Sequence, residues 1–215
     1  MAGHPRHDAV LRGLGEYGAA ATRSRSPAGR RTPDCGGYRR RGGRAGPAGT
    51  DCDAALHRET YHRVFADAGL DPALSEALYS VESDAAHNPF AADAAPVLRE
   101  IAGHGVPIGV VSDIHYDARP AFAAASIADV VSAFVLSYEH GVQKPDPATF
   151  RRAADDLGVP PEQIPMVGER HGYDGGAVEV GMTTLLLPPL RDVREERLHL
   201  AARLLGVPVA PSSAP

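Results

Sequence analysis

The chain has 215 residues, 43% of them hydrophobic, and a formal net charge of −5. That length suits one α/β domain with a small appendage and is ample for a sizeable core. Cys35 and Cys52 stand in no CxxC or Cys/His spacing, which speaks against a disulfide framework or a zinc site and fits a reducing, cytoplasmic setting; with no apolar leader and no membrane-length run, neither a signal peptide nor an anchor is expected.

The first fifty residues differ in kind from the rest. Residues 1–50 carry ten Arg against three Asp or Glu, a balance of +7 that leaves −12 for the remainder. They also hold eleven of the 23 glycines, yet only three Val, Ile, Leu or Phe residues: Val10, Leu11 and Leu14. Such a stretch buries too little to offset its chain entropy, so residues 1–52 are expected to be a disordered, low-complexity basic segment. An arm for nucleic acid would interleave aromatic residues with its arginines; only Tyr17 and Tyr38 occur, so nucleic acid is not the expected partner.

From residue 53 the pattern becomes regular. "AALHRETYHRVFADAGL" sets Leu56, Tyr61, Val64, Phe65 and Ala68 roughly on one helical face, and "DAAPVLREIAGHG" starts at Asp93 as an N-cap and stops at glycine. Apolar runs follow at 106–112, 133–137, 164–168 and 183–189, separated by helical stretches such as "PATFRRAADDLG". Alternation of this kind implies a parallel, doubly wound sheet, in which ligands bind beyond the carboxyl ends of the strands. The closing "VREERLHLAARLLGVPV" reads as an amphipathic helix with Leu200 and Leu204 on one face, to be packed on the core or else against a partner.

The strand ends carry the chemistry. Ser112 closes the first run and offers a hydroxyl and a backbone N–H that suit a phosphoryl oxygen, or a helix cap; Asp113, His115 and Asp117 read as structural. After the second run comes Lys144, the sole lysine of the chain, in "GVQKPDP". A compact ammonium neutralises a carboxylate and a phosphate together where a planar guanidinium fits less well. Asp146 and Pro147 read as N-cap and first residue of the next helix. The third run opens into "VGERHGYDGGAVEVGM", whose Glu169 and Asp174 form either a solvated pair or a site for a hard cation such as Mg²⁺, with Gly175 and Gly176 allowing close backbone approach.

Taken together, "VVSD", "GVQKPDP" and "VGERHGYDGGAVEVG" resemble motifs II, III and IV of the haloacid dehalogenase-like (HAD) hydrolase superfamily, over roughly residues 53–190. The resemblance implies a Rossmann-like α/β fold, a parallel sheet with flanking helices and a small helical cap. On it the chain divides into the basic segment 1–52, a helical cap remnant at 53–92, the core at 93–207 and a tail at 208–215. It further implies a Mg²⁺-dependent phosphohydrolase acting on a small phosphorylated metabolite through an aspartyl-phosphate. Ser112 would bind the phosphoryl group, Lys144 would offset charge, and Glu169, where the family usually has aspartate, would hold Mg²⁺ with Asp174.

The family's first motif, DxDxT at the end of an apolar strand, is not found in the sequence. Asp8 has no apolar strand before it, and Asp51 and Asp53 follow glycine, proline and arginine, with Asp53 read as a helix cap. The first core strand is therefore expected to be missing, and residues 1–50 are expected not to be the natural start of this fold, as a shifted frame or start codon would produce. An inert HAD-like domain that binds a phosphate-bearing ligand or a protein partner stays open beside the hydrolase. A metal-independent dehalogenase fits less well beside the acidic pair. Substrate identity and oligomeric state are not specified by the sequence.

Overall fold

The computed structural model describes residues 10–13, there as backbone, and residues 49–209. Five strands form one parallel sheet: β1 (Val10–Gly13), β2 (Ile108–Ser112), β3 (Ala133–Leu136), β4 (Pro165–Gly168) and β5 (Thr183–Leu186), ordered β3-β2-β1-β4-β5 in space. Each apolar run read from the sequence becomes a strand because a parallel sheet covered on both faces favours continuous rather than alternating hydrophobicity. All five residues of β2 are buried, whereas β5, at the edge, is exposed at both of its ends.

One expectation is corrected here. The first core strand is present: β1 lies in the middle of the sheet, with Val10 beside Ile108, Gly13 beside Val111, and Leu11 and Arg12 beside Met166 and Val167. Without it β2 and β4 would each lose a row of backbone hydrogen bonds, and buried orphan N–H and C=O groups are expensive. Two apolar residues followed by arginine and glycine show no strand periodicity, so the pairing comes from the neighbours rather than from the local pattern. The disorder expected for residues 1–52 otherwise falls on 1–9 and 14–48, outside the described residues. At the end of the segment, Thr50–Cys52 forms one 3-10 turn that buries Thr50 and Asp51.

Helices follow from clear start signals. Asp53 caps α1 (Ala54–Asp67), its Oδ1 accepting from the Ala55 and Leu56 N–H groups at 2.8 and 2.9 Å. Asp71 caps α2 (Pro72–Glu82) in the same way, with proline at the first position. These two helices pair through rings: Tyr79 crosses Tyr61 edge-on and lies tilted against His57 with centroids 5.7 Å apart. The apolar face read for α1 is not what it buries, since Val64 and Ala68 are exposed and His57 is the buried residue.

Four longer helices flank the sheet, beside the single turns Ser137–His140 and His171–Asp174: α3 (Ala94–Gly103), α4 (Arg119–Ala124), α5 (Pro147–Leu157) and α6 (His199–Leu204). One apolar cluster joins Val97, Leu98 and Ile101 of α3 to Phe122, Leu198, Ala201 and Ala202; another joins Phe150 and Ala153 of α5 to Val135 and Met166. Val110 belongs to the first cluster and Val111 to the second, as alternation across a strand requires. Asp93 precedes α3, but its carboxylate accepts from the His199 N–H at 3.0 Å and makes no cap bond of its own, tying the two ends of the core together. The terminal helix is shorter than its sequence suggests. Leu198, Ala201 and Ala202 face the core, while Leu200 and Leu204 are the exposed pair, because small alanines allow closer packing than the leucine stripe. No helix of the described residues is long and apolar enough to cross a membrane.

Candidate active site at the strand ends

The carboxyl ends of β2, β3 and β4 bring together Ser112, Asp113, Lys144 and Asp174, all buried. Lys144 Nζ donates to Asp174 Oδ1 at 2.7 Å, and both side chains are only 2% exposed. The other oxygen, Asp174 Oδ2, accepts from the backbone N–H groups of Glu169 at 2.9 Å and Arg170 at 2.8 Å. Burial pushes the Asp174 carboxyl up, but Lys144 and those two N–H groups outweigh it and hold it below the ordinary carboxylate value.

Two glycines make this approach possible. A Cβ on Gly168 would overlap the Asp174 carboxylate, and one on Gly176 would come within 2.7 Å of the Pro145 side chain and 2.8 Å of its carbonyl oxygen. Gly175, expected to share that role, faces open space. Pro145 follows Lys144 through a cis peptide bond. Asp146 caps α5, accepting from the Ala148 N–H at 2.9 Å, as its sequence position predicts.

Asp113 is no helix cap. Its Oδ1 accepts from the Lys144 backbone N–H at 2.9 Å, and its Oδ2, like Ser112 Oγ, has no hydrogen-bond partner among the described residues. Burial raises the Asp113 carboxyl more than Lys144 lowers it. Both residues line a pocket between the β2 end and the helical pair, with Asp51, His57, His115 and Tyr116 on its other walls. His57 and His115 stack at 3.4 Å with 15° between their planes. His57 Nδ1 lies 3.2 Å from the Tyr79 hydroxyl and its Nε2 3.7 Å from Asp51 Oδ1, and His115 Nε2 meets Ser83 Oγ at 3.0 Å. Desolvation drives His57 down to about 3 and His115 to about 4, so both rings are neutral near pH 7. Sequence reading passed over Asp113 and His115 because nothing in "SDIH" distinguishes a buried wall from a turn.

The expected metal pair is brought to one strand end, yet the donors do not fit a cation as they stand. Asp174 is saturated by Lys144 and two N–H groups, while Glu169 Oε2 accepts from Arg197 Nη1 at 2.6 Å. Arg197 in turn reaches the Pro188 carbonyl, locking Glu169 to the segment after β5. Among the described residues no three His, Cys, Asp or Glu side chains are grouped to hold a metal ion.

A family model described as a haloacid dehalogenase-like hydrolase matches residues 2–175. The chain belongs to this family. Similar HAD-type folds include a HAD phosphatase from Thermococcus onnurineus, with a TM-score of 0.54, 15% identity, and coverage of 93% of this chain and 98% of that one. A 2-haloacid dehalogenase from Pseudomonas syringae gives 0.52 at 20% identity, covering 74% of each chain. The L-2-haloacid dehalogenase of Xanthobacter autotrophicus, with chloropropionic acid covalently bound, gives 0.53 at 24%, covering 73% of this chain and 61% of that one. At these identities the likeness shows the fold. No curated protein matches the sequence closely enough to count as a relative.

The central strand also locates where the HAD first motif would fall. β1 ends at Gly13, beside Val111, and the sequence has Gly15 two residues on, so glycines stand at the spacing of the two expected aspartates. Between Asp8 and Asp34 the sequence contains no aspartate.

Proposed function

We propose that this HAD-like hydrolase fold binds the phosphoryl end of a small phosphorylated metabolite in the cleft at the ends of β2, β3 and β4. One observation carries the reading: Ser112 Oγ, buried and without a partner among the described residues, lies at the β2 end one residue from a carboxyl that is itself tied to Lys144. A buried hydroxyl left without a partner costs stability unless a ligand satisfies it. In the bound state Ser112 would donate to a phosphoryl oxygen, and Lys144, held by Asp174, would supply positive charge from a dry wall where it is weakly screened.

Turnover is the second reading, favoured by membership of a hydrolase family. Hydrolysis through an aspartyl-phosphate needs a carboxylate at the β1 end, where this chain has Gly13. It would also need Mg²⁺ to displace Lys144 and Arg197 from Asp174 and Glu169. Binding without covalent turnover is therefore the conclusion. Calorimetric titration with inorganic phosphate, alongside a p-nitrophenyl phosphate assay with and without Mg²⁺, tests it: binding weakened by Ser112→Ala and no turnover are expected. Absence of binding would discard the phosphoryl reading. Turnover abolished by EDTA and by Lys144→Ala would replace it with the hydrolytic one.

A further inference from the structure

Asp113 is built unlike an ordinary carboxylate. It is 5% exposed, one oxygen is anchored by the Lys144 backbone N–H at 2.9 Å, and the other has no partner among the described residues. An ionised oxygen in that state is a buried charge without its hydrogen bonds, which proteins avoid by neutralising the group. Anchoring of Oδ1 leaves Oδ2 as the buried oxygen without a partner among the described residues, on a residue that lines the pocket beside Ser112. We infer that Asp113 is the second donor of the anion cradle, its protonated Oδ2 donating to the phosphoryl group that Ser112 Oγ also holds. This rests on the phosphoryl reading of the cleft.

The charges around Asp113 fit that role. Lys144 and Arg170 favour its ionised form and Asp174 opposes it, but burial dominates and lifts the carboxyl above its ordinary value. Across the pocket stand Asp51 and Glu82, and the Cys52 thiol next to Asp51 in the chain is pushed up by burial first and then by Asp113 and Asp51. His57 and His115, driven to about 3 and about 4, add no charge at neutral pH. A dianion would be repelled by an ionised Asp113 and is welcomed by a protonated one, so binding is coupled to proton retention at this carboxyl. The same oxygen that would exclude phosphate when charged becomes its hydrogen-bond donor when neutral.

Sulfate, a dianion throughout the range, isolates the protein's titration from that of phosphate. Calorimetric titration of the full chain with sulfate at about pH 5 and about pH 9 should show affinity falling about tenfold or more as Asp113 ionises. Asp113→Asn keeps an acceptor for the Lys144 N–H and a donor for the ligand, so its affinity should not depend on pH. Asp113→Ala should bind about 10- to 100-fold more weakly than the wild type at the lower pH, the loss of one donor to a charged group. Equal wild-type affinity at both pH values, or a wild-type affinity in Asp113→Ala, overturns the inference while leaving the phosphoryl reading intact. Failure of the wild type to bind either sulfate or inorganic phosphate at both pH values overturns the two together.

Discussion

Acidification should destabilise the protein through the stacked histidines. Both folded-state values are depressed, to about 3 for His57 and about 4 for His115, from an ordinary 6.5. Unfolding releases the rings to water, where they take up protons below pH 6.5, so their contribution is complete above that value and is lost as pH falls toward the folded values. At pH 5.5 each unfolded ring gains about 1.4 kcal/mol from protonation that its folded counterpart cannot match, or about 3 kcal/mol for the pair. That is a large share of a typical folding free energy of about 5–15 kcal/mol. Urea unfolding at about pH 7.5 and about pH 5.5 measures the loss, and the double variant His57→Gln/His115→Gln, compared at the same two values, removes the contribution of all other titrating groups. An acid sensitivity in the double variant equal to that of the wild type, within about 0.5 kcal/mol, would refute the assignment of buried neutral rings.

Further expectations concern the strand-end charges and the glycine beneath them. Lys144→Met strands Asp174 in a dry site and should cost about 3–5 kcal/mol by chemical denaturation, with Asp174→Asn added to it recovering part of the loss; equal stabilities of the single variant and the wild type would show that the pair is solvated. Gly168→Ala forces a Cβ into the Asp174 carboxylate and should destabilise by about 1–3 kcal/mol, a neutral result meaning that the β4 end can move away. Because Glu169 is held by Arg197, neither Mg²⁺ nor EDTA should move the thermal midpoint; a rise of several degrees with Mg²⁺ that Glu169→Gln abolishes would mean that the carboxylate exchanges its guanidinium for the ion.

The sequence was most readable where local chemistry decides structure. Asp53 and Asp146 cap helices through bonds to N–H groups two or three residues on, and an aspartate just before a helical stretch announces such caps. That Ser112, Lys144, Glu169 and Asp174 lie at neighbouring strand ends was legible because each stands after an apolar run, and a parallel sheet gathers strand ends. β1 escaped because its partners, not its own residues, make it a strand. The partners of Glu169 escaped for a similar reason: Arg197 lies 28 positions away in a segment with no strand or cap signal. His57 hid on an apparently apolar helix face, since only packing reveals that a titratable ring has replaced an aliphatic one at the buried position.

Lys144 provides the chain's only ε-amine, and it is 2% exposed behind Asp174. An amine-directed acylating reagent therefore meets, apart from the α-amine, a single nucleophile that is shielded while the cleft is shut. Its rate of modification would count openings of this one wall, turning a compositional oddity into a built-in reporter of how often the strand ends come apart.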